Sequence, residues 1–301
     1  MSIAAPRLIP STCESSRAVS GTFDRPLPAW FSAHGWHGAV SRLQPGAITS
    51  PRLVVEQDGL TASCLETSGA LEFVGRSSMT HVTLLSPLGD GSLWMNGRSV
   101  RRQELLSVPP GMDVLAIVRG GSRVLVVSLL AELPNVVGAL GYLPTGGDVL
   151  ADVVTGDCSE REKAACAWRY ADELGSRAAK EDQEAYEAAY RIIVTARGYI
   201  EAHLGRRIRI TDICAHAATS LSRLERTFRR EMDLSPSKYL LAIRLEAVRR
   251  ALQSAQSPQT SVAHFAHDCG FNHLGRFAAA YRRHFGELPS ETLRARLRAE
   301  V

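Results

Sequence analysis

Two segments in the last third of the chain restrict its fold more than any other feature. They are Ile210–Met232 (ITDICAHAATSLSRLERTFRREM) and Ser261–Phe285 (SVAHFAHDCGFNHLGRFAAAYRRHF). Each reads as a short helix, a tight break and a second, arginine-bearing helix. In the first, Ile213 and Ala217 face inward, and the chain breaks near Ala218-Thr219. Ser220 then suits an N-cap, because its hydroxyl can accept from a free backbone N–H one turn on. The helix that follows puts Leu224, Thr227 and Phe228 on one face. Ser222, Arg223, Glu225, Arg226, Arg229 and Arg230 take the others. In the second segment Val262, Phe265 and Ala266 pack the first helix. Cys269-Gly270-Phe271-Asn272 makes the turn, with Gly270 free to take positive φ and Asn272 placed to cap. Phe277, Tyr281 and Phe285 line the inner face of the next helix. Ser235–Gln253 lies between the two, with Pro236 at a first helical position, and predicts a rigid spacer helix. A short helix, a tight turn and a second helix with a polar outer face is a shape that the major groove of DNA admits.

The charge follows the same division. Residues 191–301 carry 19 Lys+Arg, of which 18 are Arg, against 10 Asp+Glu, a net +9, whereas residues 1–190 are net −5. Arginine concentrated in this way suits a polyanion, although a solvated helical surface accounts for the charge alone equally well. At 301 residues, 45% hydrophobic and 22% charged, the chain has room for two cores. No apolar run approaches the roughly 18 residues of a membrane span. The first residues lack the apolar core of a secretory signal. The six cysteines form no C-x-x-C pair. These features lead us to expect reduced thiols and a cytoplasmic protein without membrane contact.

Before residue 145 the pattern is different. Short apolar runs, among them Ala70–Gly75, His81–Leu85, Ser92–Asn96, Val114–Val118 and Val124–Leu129, alternate with the turn dipeptides Asp90-Gly91, Asn96-Gly97 and Gly120-Gly121. Runs of this length and β-branched content predict strands of a barrel or sandwich. Helical spacing takes over at about Ser159–Leu174 and Ala178–Leu204.

The ordered set Ser220, Leu224, Arg226, Phe228, Ser235-Pro236, Tyr239, Arg244-Leu245, Val262, Ala266, Cys269-Gly270-Phe271, Phe277, Tyr281, Arg282-Arg283, Phe285-Gly286 and Pro289-Ser290 resembles the C-terminal DNA-binding domain of the AraC/XylS family of bacterial transcription regulators. The likeness spans about residues 190–299. It departs from the family at Asp233, where glycine is usual, at Leu288, where serine is usual, and at Ala279, where arginine is usual. The resemblance implies an α+β two-domain fold. A cupin-like β-barrel sensor domain and linker helices would precede an all-α double helix-turn-helix domain. The expected divisions are a loose tail at 1–20, an effector-binding and dimerisation domain at 21–145, a helical linker at 146–190 and the DNA-binding domain at 191–301.

The resemblance also implies two recognition helices entering successive major grooves, ~34 Å apart. Ser222, Glu225 and Arg226 would read bases, joined by Leu274 and Arg276 from a second helix with less polar reach. Ser220, Arg223, Arg229, Arg230, Asn272, His273, Arg282 and Arg283 would position the phosphate backbone. The implied partners are double-stranded DNA, a small-molecule effector, a second copy of the chain and, for an activator, RNA polymerase. Trp94, His81, Phe73 and Trp36 are candidates for the effector pocket, although core or cover is the plainer reading of each, because alternation fixes sidedness and not ligand contact. The strands carry no H-x-H pattern with following Glu and His, so we expect neither a metal nor a cofactor. No G-x-S-x-G, H-E-x-x-H, phosphate-binding loop or Pro-Cys-His acceptor supports an enzyme or a bifunctional enzyme-regulator. A regulator controlled by a protein partner or by its own abundance is the other reading.

Overall fold

The structure, a computed structural model, describes residues 31–46, 48–57, 60–130, 140–156, 158–176, 183–256 and 261–298. The tail expected at 1–20 lies outside them. The strands are β1 (His37–Arg42), β2 (Ile48–Gln57), β3 (Leu60–Thr67), β4 (Leu71–Arg76), β5 (His81–Leu88), β6 (Ser92–Met95), β7 (Arg98–Arg101), β8 (Leu105–Val108), β9 (Asp113–Val118), β10 (Ser122–Leu130) and β11 (Gly141–Leu143). The helices are α1 (Gly147–Thr155), α2 (Glu160–Ser176), α3 (Gln183–Ala202), α4 (Ile210–His216), α5 (Leu221–Met232), α6 (Pro236–Gln253), α7 (Val262–Asp268), α8 (Leu274–Phe285) and α9 (Pro289–Arg298). No helix among the described residues is long and apolar enough to cross a membrane.

The α+β arrangement expected from the sequence is present, with one correction. The strands do not close into a barrel. They form two antiparallel sheets, ordered β1-β4-β9-β6-β7 and β11-β8-β5-β10-β3-β2. The reason lies in the strand patterns. Side chains alternate between faces along a strand, and here both faces of both sheets are apolar, so each sheet is covered on two sides. Leu71, Phe73, Leu93 and Met95 of one sheet meet Leu65, Leu85, Val124 and Val126 of the other in the space between them. The opposite parity of the six-stranded sheet, Leu84, Leu125 and Val127, packs under Leu150, Val154 and Tyr170 of α1 and α2. The opposite parity of the five-stranded sheet, Trp94, Leu115 and Ile117, packs under Ile193 and Ile200 of α3 and under Phe228 and Tyr239 of α5 and α6.

Local chemistry sets the register. Asn96 and Gly97 take φ of 46° and 95°, the left-handed pair that a two-residue hairpin needs, so Met95 faces Arg98. The Asn96 amide then donates to the Asp113 carbonyl and accepts from the Leu115 N–H, both at 2.8 Å. The hairpin is thereby tied to β9.

Polar contacts also join the five-stranded sheet to the helices. Glu246 of α6 accepts from the Arg42 N–H at 2.7 Å, and His284 of α8 donates to the Arg42 carbonyl at 2.9 Å. Ser99 of β7 donates to Glu231 of α5 at 3.1 Å. The Arg119 guanidinium donates to the carbonyls of Arg230 and Glu231. A cation at this position complements the carbonyl end of α5.

Candidate nucleic-acid interface

Each bihelical unit is held by an apolar seam with its polar face outward. In the first, Ala218 takes φ 46° to turn the chain between α4 and α5. Ser220 caps α5, its hydroxyl accepting from the Arg223 N–H at 3.2 Å. Leu224 and Phe228 are fully buried beside Tyr239, the two rings meeting edge to face at 5.4 Å. That orientation leaves Ser222, Arg223, Glu225, Arg226, Arg229 and Arg230 exposed. In the second unit Gly270 turns at φ 81°. Phe277 and Tyr281 are buried, with the Phe285 ring tilted against Tyr281 at 4.6 Å. Asn272, His273, Leu274, Arg276, Ala279, Arg282 and Arg283 are exposed.

α6 joins the units. Ser235 caps it by accepting from the Lys238 N–H at 3.3 Å, and Pro236 opens it. Its inward face contributes Tyr239 and Ile243 to the core of the first unit and Leu245, Val248 and Leu252 to that of the second.

Two details differ from the sequence reading. Asn272 is not the cap of α8, because the helix starts one residue later. His273 holds the cap position and makes no side-chain cap bond. Trp94 does not face the space between the sheets. Its neighbours Leu93 and Met95 do, and alternation turns Trp94 to the other face, where it packs 6.2 Å from Tyr190. Of the other pocket candidates, Trp36 and Phe73 line the space between the sheets. His81 sits at the start of β5, its Nδ1 bonded to Ser78 and Thr80.

The unusual residues keep the expected backbone. Asp233 ends α5 at φ 55°, its N–H donating to the Arg229 carbonyl, just as Gly286 ends α8 at φ 80°. The Leu288 N–H donates to Glu291 at 2.6 Å. That bond orders the start of α9 without a serine.

The charges on the outer faces are unevenly committed. Among the described residues Arg223, Arg226, Arg229, Arg276, Arg282 and Arg283 form no ion pair, and Glu225 pairs with neither Arg226 nor Arg229. Arg230 is different, because it is paired with the buried Glu231. Ala278, Ala279, Arg282, Arg283, Gly286 and Leu288 form a shallow groove on the outside of α8, apolar at its floor and basic at its rim. Free guanidinium groups on two helix faces can bond phosphate oxygens or the O6/N7 edge of guanine.

Sequence reasoning missed the carboxylates beneath this surface. Glu72 of β4 is fully buried; it accepts from the Tyr239 hydroxyl at 2.6 Å and from Arg197 of α3 at 3.4 Å. Burial pushes its carboxyl above the ordinary range, against the pull of Arg197 and the Tyr239 bond. Burial likewise raises Glu246, opposed by the Arg42 N–H. The available signal was the run ALEFVG, in which Ala70 and Val74 are apolar on the same parity as Glu72. That pattern indicates a strand covered on both faces.

Residues 213–295 match a family described as a helix-turn-helix domain. Over 96 residues the chain is 38% identical to the XylDLEGF operon transcriptional activator of Pseudomonas putida, a match covering 32% of this chain and 30% of that one. Over 103 residues it is 33% identical to the probable thc operon regulatory protein of Rhodococcus erythropolis, covering 34% and 31%. Among solved structures, a probable AraC family transcriptional regulator from Rhodopseudomonas palustris is 35% identical over 35% of this chain and 96% of that one, with a TM-score of 0.33. The similarity therefore spans about three tenths of the length of the curated relatives.

Proposed function

We propose, on the premise that the C-terminal third of this chain is an AraC/XylS-type double helix-turn-helix domain, that the protein is a sequence-specific DNA-binding transcription regulator rather than an enzyme. The observation that carries this reading is the pair of exposed helices, α5 and α8, whose guanidinium groups are largely unpaired and which a single spacer helix holds. Ser222, Glu225 and Arg226 read base edges, with Arg226 as the bidentate donor. Leu274 and Arg276 read more weakly, because Ala279 leaves α8 short of polar reach. Ser220, Arg223, Arg229, Arg230, Asn272, His273, Arg282 and Arg283 engage the backbone.

In the division of labour we propose, residues 21–145 bind a small-molecule effector and a second copy of the chain, 146–190 connect, and 191–301 bind DNA. Activation through RNA polymerase in the cytoplasm fits the likeness to the operon transcriptional activator of Pseudomonas putida. Two substitutions test the assignment of the helix faces. Arg226→Ala lowers the ratio of cognate to random-duplex affinity by about 5- to 150-fold, the worth of one bidentate base contact. Arg282→Ala weakens both alike and reduces the salt slope by about one. Competition binding against random duplex measures both effects. An unchanged ratio for Arg226→Ala would refute the reading of α5.

A further inference from the structure

The space between the sheets is lined in part by a residue that belongs to neither sheet. Phe31, on the helical turn at 31–33 before β1, stacks on Phe73 of β4 with ring centroids 4.4 Å apart and 22° between the planes. Trp36 tilts against both rings, at 6.2 and 5.3 Å. With Phe31 in place only about 30 Å³ remains free, room for one water and far less than a ring needs. Among the described residues the wall is apolar but for His34 and Glu72, and no Lys or Arg lines it. His34 is the polar side chain turned toward it. Its two ring nitrogens are bonded to the hydroxyls of Ser128 at 2.9 Å and Ser63 at 2.6 Å.

The wall is one strand thick on the side of the helices. Leu71 and Phe73 of β4 face the space. Glu72 between them turns to the other face, where it meets Tyr239 of α6 and Arg197 of α3. Arg197 is held in turn by both oxygens of Glu201. The geometry points to a site between the sheets for a neutral, ring-sized apolar effector, which the Phe31 ring fills when the effector is absent and which Glu72 reports to the DNA-binding part. This deepens, and rests on, the reading of the protein as a regulator controlled by a small molecule.

Each part of the proposal has a physical reason. A ring that evicts Phe31 inherits a flat aromatic partner in Phe73. A carboxylate entering the same space would lose its hydration and gain no cation from the described lining. Packed interiors transmit displacement rather than absorb it, so a shift of Phe73 is carried to the next residue along β4. The 2.6 Å bond from Tyr239 does not survive a displacement of ~1 Å as a bond of the same strength.

The test uses the full chain, three probes and DNA that the protein itself selects from a random pool. Benzene and cyclohexanol, at millimolar concentration, raise the melting temperature by a few degrees, and cyclohexanecarboxylate at the same concentration does not. Phe31→Ala binds cyclohexanol about tenfold more tightly, because no ring has to leave. Cyclohexanol changes the affinity for the selected duplex at least several-fold. Glu72→Gln still binds cyclohexanol but loses that change. Tyr239→Phe, which deletes one hydroxyl, reads the same point should Glu72→Gln not fold. Equal binding of the carboxylate, no shift with either neutral probe, or no gain in Phe31→Ala overturns the site. An undiminished effect on DNA affinity in the folded variants overturns the route through Glu72. Should no duplex be selected, the regulator reading fails, while the melting and Phe31→Ala measurements still decide the cavity.

Discussion

A histidine enclosed by serine hydroxyls inside an apolar sandwich is locked in its neutral form. Burial, with a smaller contribution from His81, brings His34 down to about 3. A histidine whose folded value lies below its unfolded value contributes stability that is complete above about 6.5 and is lost as pH falls, because only the unfolded chain takes up the proton. Wild-type protein therefore loses about 1.4 kcal/mol per pH unit from this residue below pH 6.5. In His34→Gln the loss of stability between pH 7 and 5 is smaller by about 2 kcal/mol, measured as urea midpoints at each pH. Parallel profiles for the two proteins would show that His34 is not the buried proton acceptor described. None of this was legible in the sequence. His34 sits in a polar-looking turn, and Ser63 and Ser128 lie on strands where a small hydroxyl suits either face. Arg226 was legible, because a period of 3.6 places it opposite Leu224 and Phe228 and leaves it exposed whatever else the chain does.

Helix ends provide a second independent check. α5 and α8 close with the same left-handed residue, but one is Asp233 and the other Gly286. A side chain in that conformation costs about 1–2 kcal/mol, which glycine avoids. Asp233→Gly raises stability by about 0.5–1 kcal/mol after the entropy of an added glycine is counted. Gly286→Ala lowers it by about 0.5–1 kcal/mol on the same count. A Cβ at Gly286 would meet nothing within 4 Å, so backbone conformation alone sets that cost. Urea midpoints check both signs, and a reversal of either would contradict the cap geometry. The helical elements were readable because caps, turns and apolar period agree locally at Ser220, Ser235 and Gly270. β3, β7 and α1 were not. LTASCLET turns Ser63 into the interior to meet His34, RSVR is a four-residue edge, and GDVLADVVT opens on a glycine pair that reads as loop. The pairing of strands into two sheets was equally hidden, because it depends on which helices cover the outer faces.

At the scale of the whole molecule, the docked sheet bears on one side chain of the face proposed to bind DNA. Arg230 is paired with Glu231. Glu231 accepts from Ser99 of β7, and Arg119 of the sheet donates to the carbonyls of Arg230 and Glu231. The N-terminal part thus stabilises the carboxylate that withholds Arg230, while Arg226 and Arg229 beside it remain unpaired. Release of the sheet would loosen that pairing and free the exposed guanidinium for a phosphate. Glu231→Gln imitates the release electrostatically, keeping the amide oxygen for Ser99 but removing the negative partner. Each additional phosphate neutralised steepens the dependence of log K on log salt by about 0.9. Glu231→Gln therefore binds random duplex more tightly at low salt, with a slope steeper by about that amount in a titration from 50 to 200 mM salt. Removing a negative charge near DNA raises affinity by itself, so the double variant Glu231→Gln/Arg230→Ala separates the two effects. It returns to the wild-type slope if Arg230 is the released contact. A steeper slope that persists in the double variant would mean that the sheet controls DNA affinity by some path other than Arg230.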